Sequence, residues 1–353
     1  MSRAFERRPA DADAAARELR TLRDLLRWAV SRFEATGIAY GHGTGNARDE
    51  AAALLLWALH LPPDGLDPWL DARLPRAERR AAAELVEHRI ASRAPAAYLT
   101  GEAWLRGMRF ACDARALVPR SLIAEALDEA LPQWLELHPR APSWPASILD
   151  LCTGGGSLAI LAADRFPDAQ VVGADLSADA LALAAINRES HALQQRVELL
   201  QGDLFAPLRG RRFDLVVCNP PYVNEASMQA LPPEFRAEPR AALAGGRDGM
   251  DLVRRIVADA PAHLADQGVL LLEIGHEAAH FEAAFPQLEF HYLPVTAGER
   301  MLVLVEAAQL SAAAARSGAA IARRARRPAG AARKRRPPAP RRAAARPPSG
   351  RRP

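Results

Sequence analysis

Asn219-Pro220-Pro221-Tyr222 directly follow the apolar run Phe213 to Cys218, which reads as a buried strand ending in an open crevice, the place where ligands bind in open α/β sheets. Asn219 offers a side-chain oxygen and Pro220 a main-chain carbonyl, and the two prolines stiffen the turn so that both acceptors aim the same way. A planar amide or aromatic amine would donate its two hydrogens to that pair while Tyr222 stacks on its face, leaving the nitrogen open out of plane to attack an electrophile. The chemistry implied is methyl transfer to an sp2 nitrogen, with Asn219, Pro220, Pro221 and Tyr222 as the catalytic residues. Taken alone, the tetrapeptide reads equally well as a proline turn after a strand.

A second strand end supplies the other half of the chemistry. Residues 148–157, Ile-Leu-Asp-Leu-Cys-Thr-Gly-Gly-Gly-Ser, read as a strand, a glycine turn and the start of a helix, so that backbone amides and the helix dipole face a ligand. Asp175, 21 residues past Gly154, ends the next apolar run and is placed to accept both hydroxyls of a ribose. Asp203 ends the third, where an acid accepts from an adenine amino group. The candidate cofactor-binding residues are Asp150, Cys152, Thr153, Gly154, Gly156, Asp175, Asp203 and Asn219. The glycine turn fits a dinucleotide as well, but Ala159 stands at the final glycine of that fingerprint; with Asn219 at the fourth strand end, S-adenosylmethionine is preferred to NAD.

Positioning these strand ends requires a particular scaffold. Strands are expected at 147–152, 169–174, 196–201, 213–218, 268–274, 288–293 and 300–306, with helices between them, notably 157–166, 178–190 and 249–265. Such alternation predicts a mostly parallel, doubly wound α/β sheet over 119–308. Before it, residues 1–97 carry helical periodicity through Leu22, Leu25, Leu26, Ala29, Val30 and Phe33, then Ala53, Leu54, Trp57 and Leu61, predicting a small helical domain. Residues 98–118 read as a hairpin linker punctuated by Gly101 and Gly107, with Trp104 and Phe110 as packing anchors, and a proline-rich stretch, 139–145, leads into the sheet. Beyond about residue 309 the composition falls to Ala, Arg and Pro, which bury little, and a disordered basic tail is expected.

The charge of +4 over 353 residues hides a division: residues 307–353 hold 14 basic residues and no acidic one, so the remaining 32 basic against 42 acidic residues leave the body at −10. No apolar run approaches the roughly 18 residues of a membrane span and the charged start has no apolar leader core, so a cytoplasmic protein is expected. Cys112, Cys152 and Cys218 are scattered, and neither a disulfide framework nor a thiolate metal site is expected.

Together, Asp150 to Gly156, Asp175, Asp203 and Asn219 to Tyr222 resemble the class I methyltransferases that modify glutamine side chains in proteins. Pro95-Ala96-Ala97-Tyr98-Leu99-Thr100, Glu102-Ala103-Trp104, Leu117-Val118-Pro119-Arg120-Ser121, Ile123-Ala124-Glu125, Glu238-Pro239 and Gly249-Met250-Asp251-Leu252 are similar to the ribosomal-protein glutamine N5-methyltransferase branch. The release-factor branch carries Ile-Pro-Arg-Pro where this chain has Val118 to Ser121. Leu122 stands where the family has proline, and Gly155 where Ser or Thr is common. The resemblance covers about residues 20–306. It implies a class I, Rossmann-like fold with a seven-stranded, mostly parallel sheet, S-adenosylmethionine as cofactor, and a helical domain that recognises substrate. It further implies methylation of one glutamine in large-subunit ribosomal protein L-three during ribosome assembly, with release factors as the alternative substrate. Arg120 and Glu125 enter the site only through this resemblance.

Three other readings compete. His276-Glu277-Ala278-Ala279-His280 matches the H-E-x-x-H zinc pattern, with Glu299 as a loose third ligand; histidines on a sheet-covering helix at the sheet's rim are the blander account. An adenine-N6 DNA methyltransferase would use the same acceptor pair on a flipped base, but its body should be basic, and this one is acidic. The third is a non-enzymatic RNA-binding factor that uses the basic tail; the tail reads equally as a solvated extension, and nonspecific contact with ribosomal RNA would raise the concentration of enzyme near its substrate.

Overall fold

The computed structural model describes residues 12–138 and 145–326; the proline-rich stretch 139–144 and the end of the basic tail lie outside them. The chain opens with helices Ala12–Glu18, Leu22–Thr36, Ala47–Ala58 and Arg76–Ser92. Thr21 starts the second in a reciprocal capping box with Asp24, and Gly37 ends it in the left-handed conformation. Leu22, Leu25, Ala29 and Phe33 share one face of that helix and are buried against Leu54, Leu55, Ala82 and Val86.

Helix Ala96–Thr100 leads into an antiparallel hairpin, β1 (Glu102–Leu105) and β2 (Met108–Ala111). Of the two expected anchors only Phe110 is buried; Trp104 points outward and is 44% exposed, because alternate strand residues face opposite sides.

A seven-stranded sheet follows: β3 (Ser147–Leu151), β4 (Gln170–Asp175), β5 (Val197–Gln201), β6 (Phe213–Cys218), β7 (Leu264–Glu273), β8 (His291–Val295) and β9 (Gly298–Glu306). Their order is β5-β4-β3-β6-β7-β9-β8, parallel from β5 to β7 and antiparallel for the last two pairings. Helices cover both faces. Ile148, Leu215, Val217 and Leu271 pack with Leu127, Leu158 and Phe166 on one; Leu149, Val216, Leu270 and Leu272 pack with Val253, Ile256 and Phe281 on the other. Burial on both faces explains why these strands read as continuous apolar runs. The chain winds from β3 toward β5, returns to β6, and then proceeds the other way, so the order reverses between β3 and β6. Their carboxyl ends form the topological switch point where open sheets bind ligands.

Four expectations shift, the first being the strand expected at 288–293, which starts three residues later as β8. The helix expected over 249–265 is Asp251–Asp259 plus a 3-10 turn, Ala260–Ala262, because Pro261 has no amide to continue the α-helical ladder. Strand β7 begins at Leu264, four residues early, where it pairs with Phe213 across a register shift. Helix Ala307–Arg326 runs through the first part of the expected disordered tail: alanine is the best helix former, and Leu310 buries itself against the sheet's core.

Candidate active site

Asn219 leaves β6 beside the glycine turn that leaves β3, because Leu151 and Cys218 are register partners. Cys218, Pro220 and Pro221 are buried, while Asn219 and Tyr222 are partly exposed. The acceptor loop is fixed on all sides. Val223 forms a parallel bridge with Ala244, its amide donating to the Leu243 carbonyl at 2.9 Å and its carbonyl accepting from Gly245 at 2.9 Å. The Tyr222 hydroxyl donates to Glu273 Oε1 at 2.9 Å. A Cβ on Gly275, which has φ +52°, would stand 2.6 Å from the Tyr222 ring, so only glycine permits the ring to lie there.

At the end of β3, Asp150 is fully buried. Its Oδ2 accepts from Thr153 Oγ at 2.5 Å and from the Ala159 amide at 2.9 Å, whereas its Oδ1 has no partner among the described residues. Burial pushes its carboxyl up to about 7 despite those two donors. Gly156, at φ +81°, lets the turn enter helix Ser157–Arg165; a Cβ there would meet Ala184 at 3.0 Å. Asp175 ends β4 and receives the Gly154 amide at 2.8 Å on one oxygen and the Ser177 amide at 2.8 Å on the other. Asp203, past the end of β5, is half-exposed and pairs with Arg255 at 2.7 Å. Cys152 and Thr153 lie within the turn, Cys152 with φ +62°. The crevice therefore gathers the residues of all four strand ends.

Several residues that hold this site were given no role in it by the sequence. Asn187, 1% exposed, accepts from the Ala111 amide at 2.7 Å and donates to the Gly155 carbonyl at 2.8 Å, tying the hairpin to the glycine turn. Glu238 is buried, receives the Val118 amide at 3.1 Å, binds Arg120 through Nη2 at 2.7 Å and lies 3.3 Å from His42 Nε2. Burial alone would raise its carboxyl, yet His42 and Arg120 hold it down at about 2. Phe235 packs against His42 at a 4.2 Å ring separation and lies 5.6 Å from the Arg120 guanidinium. The segment after the acceptor loop is thus bound to the helical domain, a junction reinforced by Arg93, which donates to Glu234 at 3.0 Å, and by the fully buried Arg89, which lies 3.8 Å from Glu234 and is held within the helical domain by donating to Glu50 at 2.8 Å. The one signal available was acids in apolar or proline-marked surroundings, as in Leu272-Glu273-Ile274 and Glu238-Pro239.

Arg120 therefore tethers the start of the catalytic part to Glu238, and Glu125 accepts the Thr296 amide at 2.7 Å, steadying the β8–β9 turn. The H-E-x-x-H pattern does not lie on one helix, since the helix Ala278–Ala284 starts after His276 and Glu277. Glu277 instead binds the Asn224 amide and the His280 ring at 2.6 and 2.5 Å.

Residues 135–247 match the Methyltransferase small domain and residues 24–101 the PrmC N-terminal domain. The chain is 56% identical over 294 residues to the ribosomal protein uL3 glutamine methyltransferase of Bordetella pertussis, covering 83% of this chain and 97% of that protein. It is 52% identical over 302 residues to that of Burkholderia pseudomallei, covering 84% and 97%, and 46% identical over 296 residues to that of Neisseria meningitidis serogroup B, covering 84% and 96%. Likeness of this extent runs through the helical domain, the strand-end crevice and the sheet alike, and the chain belongs to the ribosomal protein uL3 glutamine methyltransferase family, whose methyl donor is S-adenosylmethionine.

Proposed function

We propose that this chain methylates the side-chain nitrogen of one glutamine in ribosomal protein uL3, in the crevice at the carboxyl ends of β3 and β6. The observation that carries this reading is the pairing of Leu151 with Cys218, which sets the glycine turn next to Asn219. The residues fit the cofactor: Asp150 keeps a buried oxygen without a partner among the described residues, and Gly154 and Gly156 hold the turn after β3 in left-handed conformations. Gly154 and Gly156 allow close approach, Asp150, Cys152 and Thr153 shape the turn, Asp175 takes the ribose hydroxyls and Asp203 the adenine amine. Bound there, S-adenosylmethionine supplies an electrophilic methyl on a sulfonium.

An amide nitrogen is a poor nucleophile, because its lone pair is delocalised into the carbonyl. Asn219 Oδ1 and the Pro220 carbonyl accept its two hydrogens, Pro221 stiffens the turn, and Tyr222 offers its ring as a stacking surface. Holding the nitrogen in line supplies up to about 7–11 kcal/mol in favourable cases, and the same two acceptors stabilise positive charge developing on it. Once alkylated, the nitrogen is acidic enough to lose its proton to water or to Asn219 without a strong base.

In this reading residues 1–97 recognise the substrate protein, 98–118 link, 119–308 catalyse, and the enzyme works in the cytoplasm on newly made uL3. No described helix is long and apolar enough to cross a membrane. The tail's 14 basic residues would add nonspecific contact with ribosomal RNA. The test is intact-mass analysis of uL3 and of a release factor, each incubated with enzyme and S-adenosylmethionine. One methyl added to uL3 and none to the release factor is expected; the reverse would reassign the substrate.

A further inference from the structure

Glu273 is the last residue of β7, next to Leu272, which is the register partner of Cys218 at the foot of the acceptor loop. It is 4% exposed. A carboxylate in such a place costs several kcal/mol unless donors satisfy it. Three do: the Tyr222 hydroxyl at 2.9 Å, the Ser121 hydroxyl at 2.6 Å and the Leu122 amide at 2.9 Å. The amide can only donate, and the Tyr222 hydroxyl and Ser121 hydroxyl are both directed at carboxylate oxygens, so the set suits an ionised, acceptor-only group. Burial pushes this carboxyl above its ordinary range, while Ser121, Tyr222 and Leu122 oppose the shift.

The donors come from two segments that meet nowhere in sequence, the acceptor loop and the stretch just after the linker. Phenylalanine would fill the Tyr222 ring's apolar space equally well; the hydroxyl adds a fixed orientation. The close approach of Gly275 to the ring, two residues past Glu273, limits it from another side.

We propose that Glu273 is a positioning residue for methyl transfer: it acts through the Tyr222 hydroxyl to set the ring against which the acceptor amide stacks, and through Ser121 and Leu122 it locks the segment just after the linker to that ring. The inference rests on Tyr222 as the stacking surface. A displacement of about 1 Å in a reacting group costs up to about 100-fold in rate, so losing the anchor should appear in kcat rather than in cofactor affinity.

The experiment compares the full-length enzyme with Glu273→Gln, Tyr222→Phe, the double variant and Tyr222→Ala. It measures kcat and KM on uL3, S-adenosylmethionine affinity by calorimetry, and melting temperature. Glu273→Gln and Tyr222→Phe should each lower kcat about 10- to 100-fold with cofactor affinity within about twofold of wild type. The double variant should be no slower than the slower single one, because both changes break one interaction. Wild-type kcat in folded Glu273→Gln, or a double-variant loss equal to the product of the two single losses, overturns the proposal. Should Glu273→Gln not fold, Tyr222→Phe decides: it keeps the ring, and a wild-type kcat overturns the proposal. Loss of turnover in Tyr222→Ala alone leaves the stacking surface standing and the anchor refuted; wild-type turnover in Tyr222→Ala refutes the stacking surface itself.

Discussion

Asn219 leaves β6 with its carboxamide partly exposed, flanked by Pro220 and Pro221, both buried, so its orientation is set by the strand and the rigid turn. On the role proposed for it, in orientation and in the transition state, Asn219→Ala should reduce turnover by at least about 100-fold while cofactor affinity stays within a few-fold of wild type. Calorimetry with turnover assays separates the two, and an equal loss of affinity and turnover would refute the orienting role. Asn219, the glycine turn and Asp175 were legible in the sequence because each is announced by the apolar run just before it. Glu273, Glu238 and Asn187 were not. Tyr222 lies 51 positions from Glu273, Ala111 is 76 from Asn187, and His42 is 196 from Glu238, so their chemistry exists only once the chain is folded.

The elements that carry the site are strands whose ends align and one junction that fixes the loop beyond them. Asp175 ends β4 and takes two backbone amides, each at 2.8 Å, one from the glycine turn. Asp175→Ala should therefore weaken S-adenosylmethionine binding at least about tenfold and leave the sheet folded, since the residue is partly exposed at a strand end. Circular dichroism with calorimetry checks this; wild-type affinity would contradict the assignment. The junction is pH-sensitive in a defined direction. Glu238's carboxyl lies at about 2 when folded, below its ordinary 4.5, so its stabilisation is complete above pH 4.5 and is lost as pH falls through 2. Removing one partner of such a buried cluster costs about 3–5 kcal/mol. Glu238→Gln should thus melt well below wild type at pH 7, with the gap narrowing between pH 5 and pH 3; a gap independent of pH would mean that the Glu238 charge, paired with Arg120, contributes nothing. Strand placement was readable to within a residue for β3, β4 and β6, where most residues on both faces are buried, and also for the half-exposed edge strand β5. It was less so for β7, whose first residues, Ala265 to Gln267, are polar or partly exposed.

Across the whole molecule, the fold class followed from alternation of apolar runs and helical periodicity, but the order of strands, and hence the meeting of β3 with β6, is a property of the assembled sheet. Charge is divided as unevenly as structure, with a body of net −10 and a tail of 14 basic residues. Deleting residues 311–353 should leave the rate on free uL3 unchanged within about twofold and shift the melting temperature little, since Arg, Pro and Ala bury little apolar surface. Its effect should appear on ribosomal particles at low salt, and vanish as salt rises. Rates of both forms on free protein and on particles over a salt series test this; a large loss on free protein would make the tail part of the folded enzyme. The most direct test of the account is fragment mass spectrometry of uL3 after reaction with wild-type enzyme and with Asn219→Ala. A single methyl on the side-chain nitrogen of one glutamine, present with wild type and lost with Asn219→Ala, is the predicted result; a methyl on any other residue type, or undiminished glutamine methylation by the variant, would contradict it.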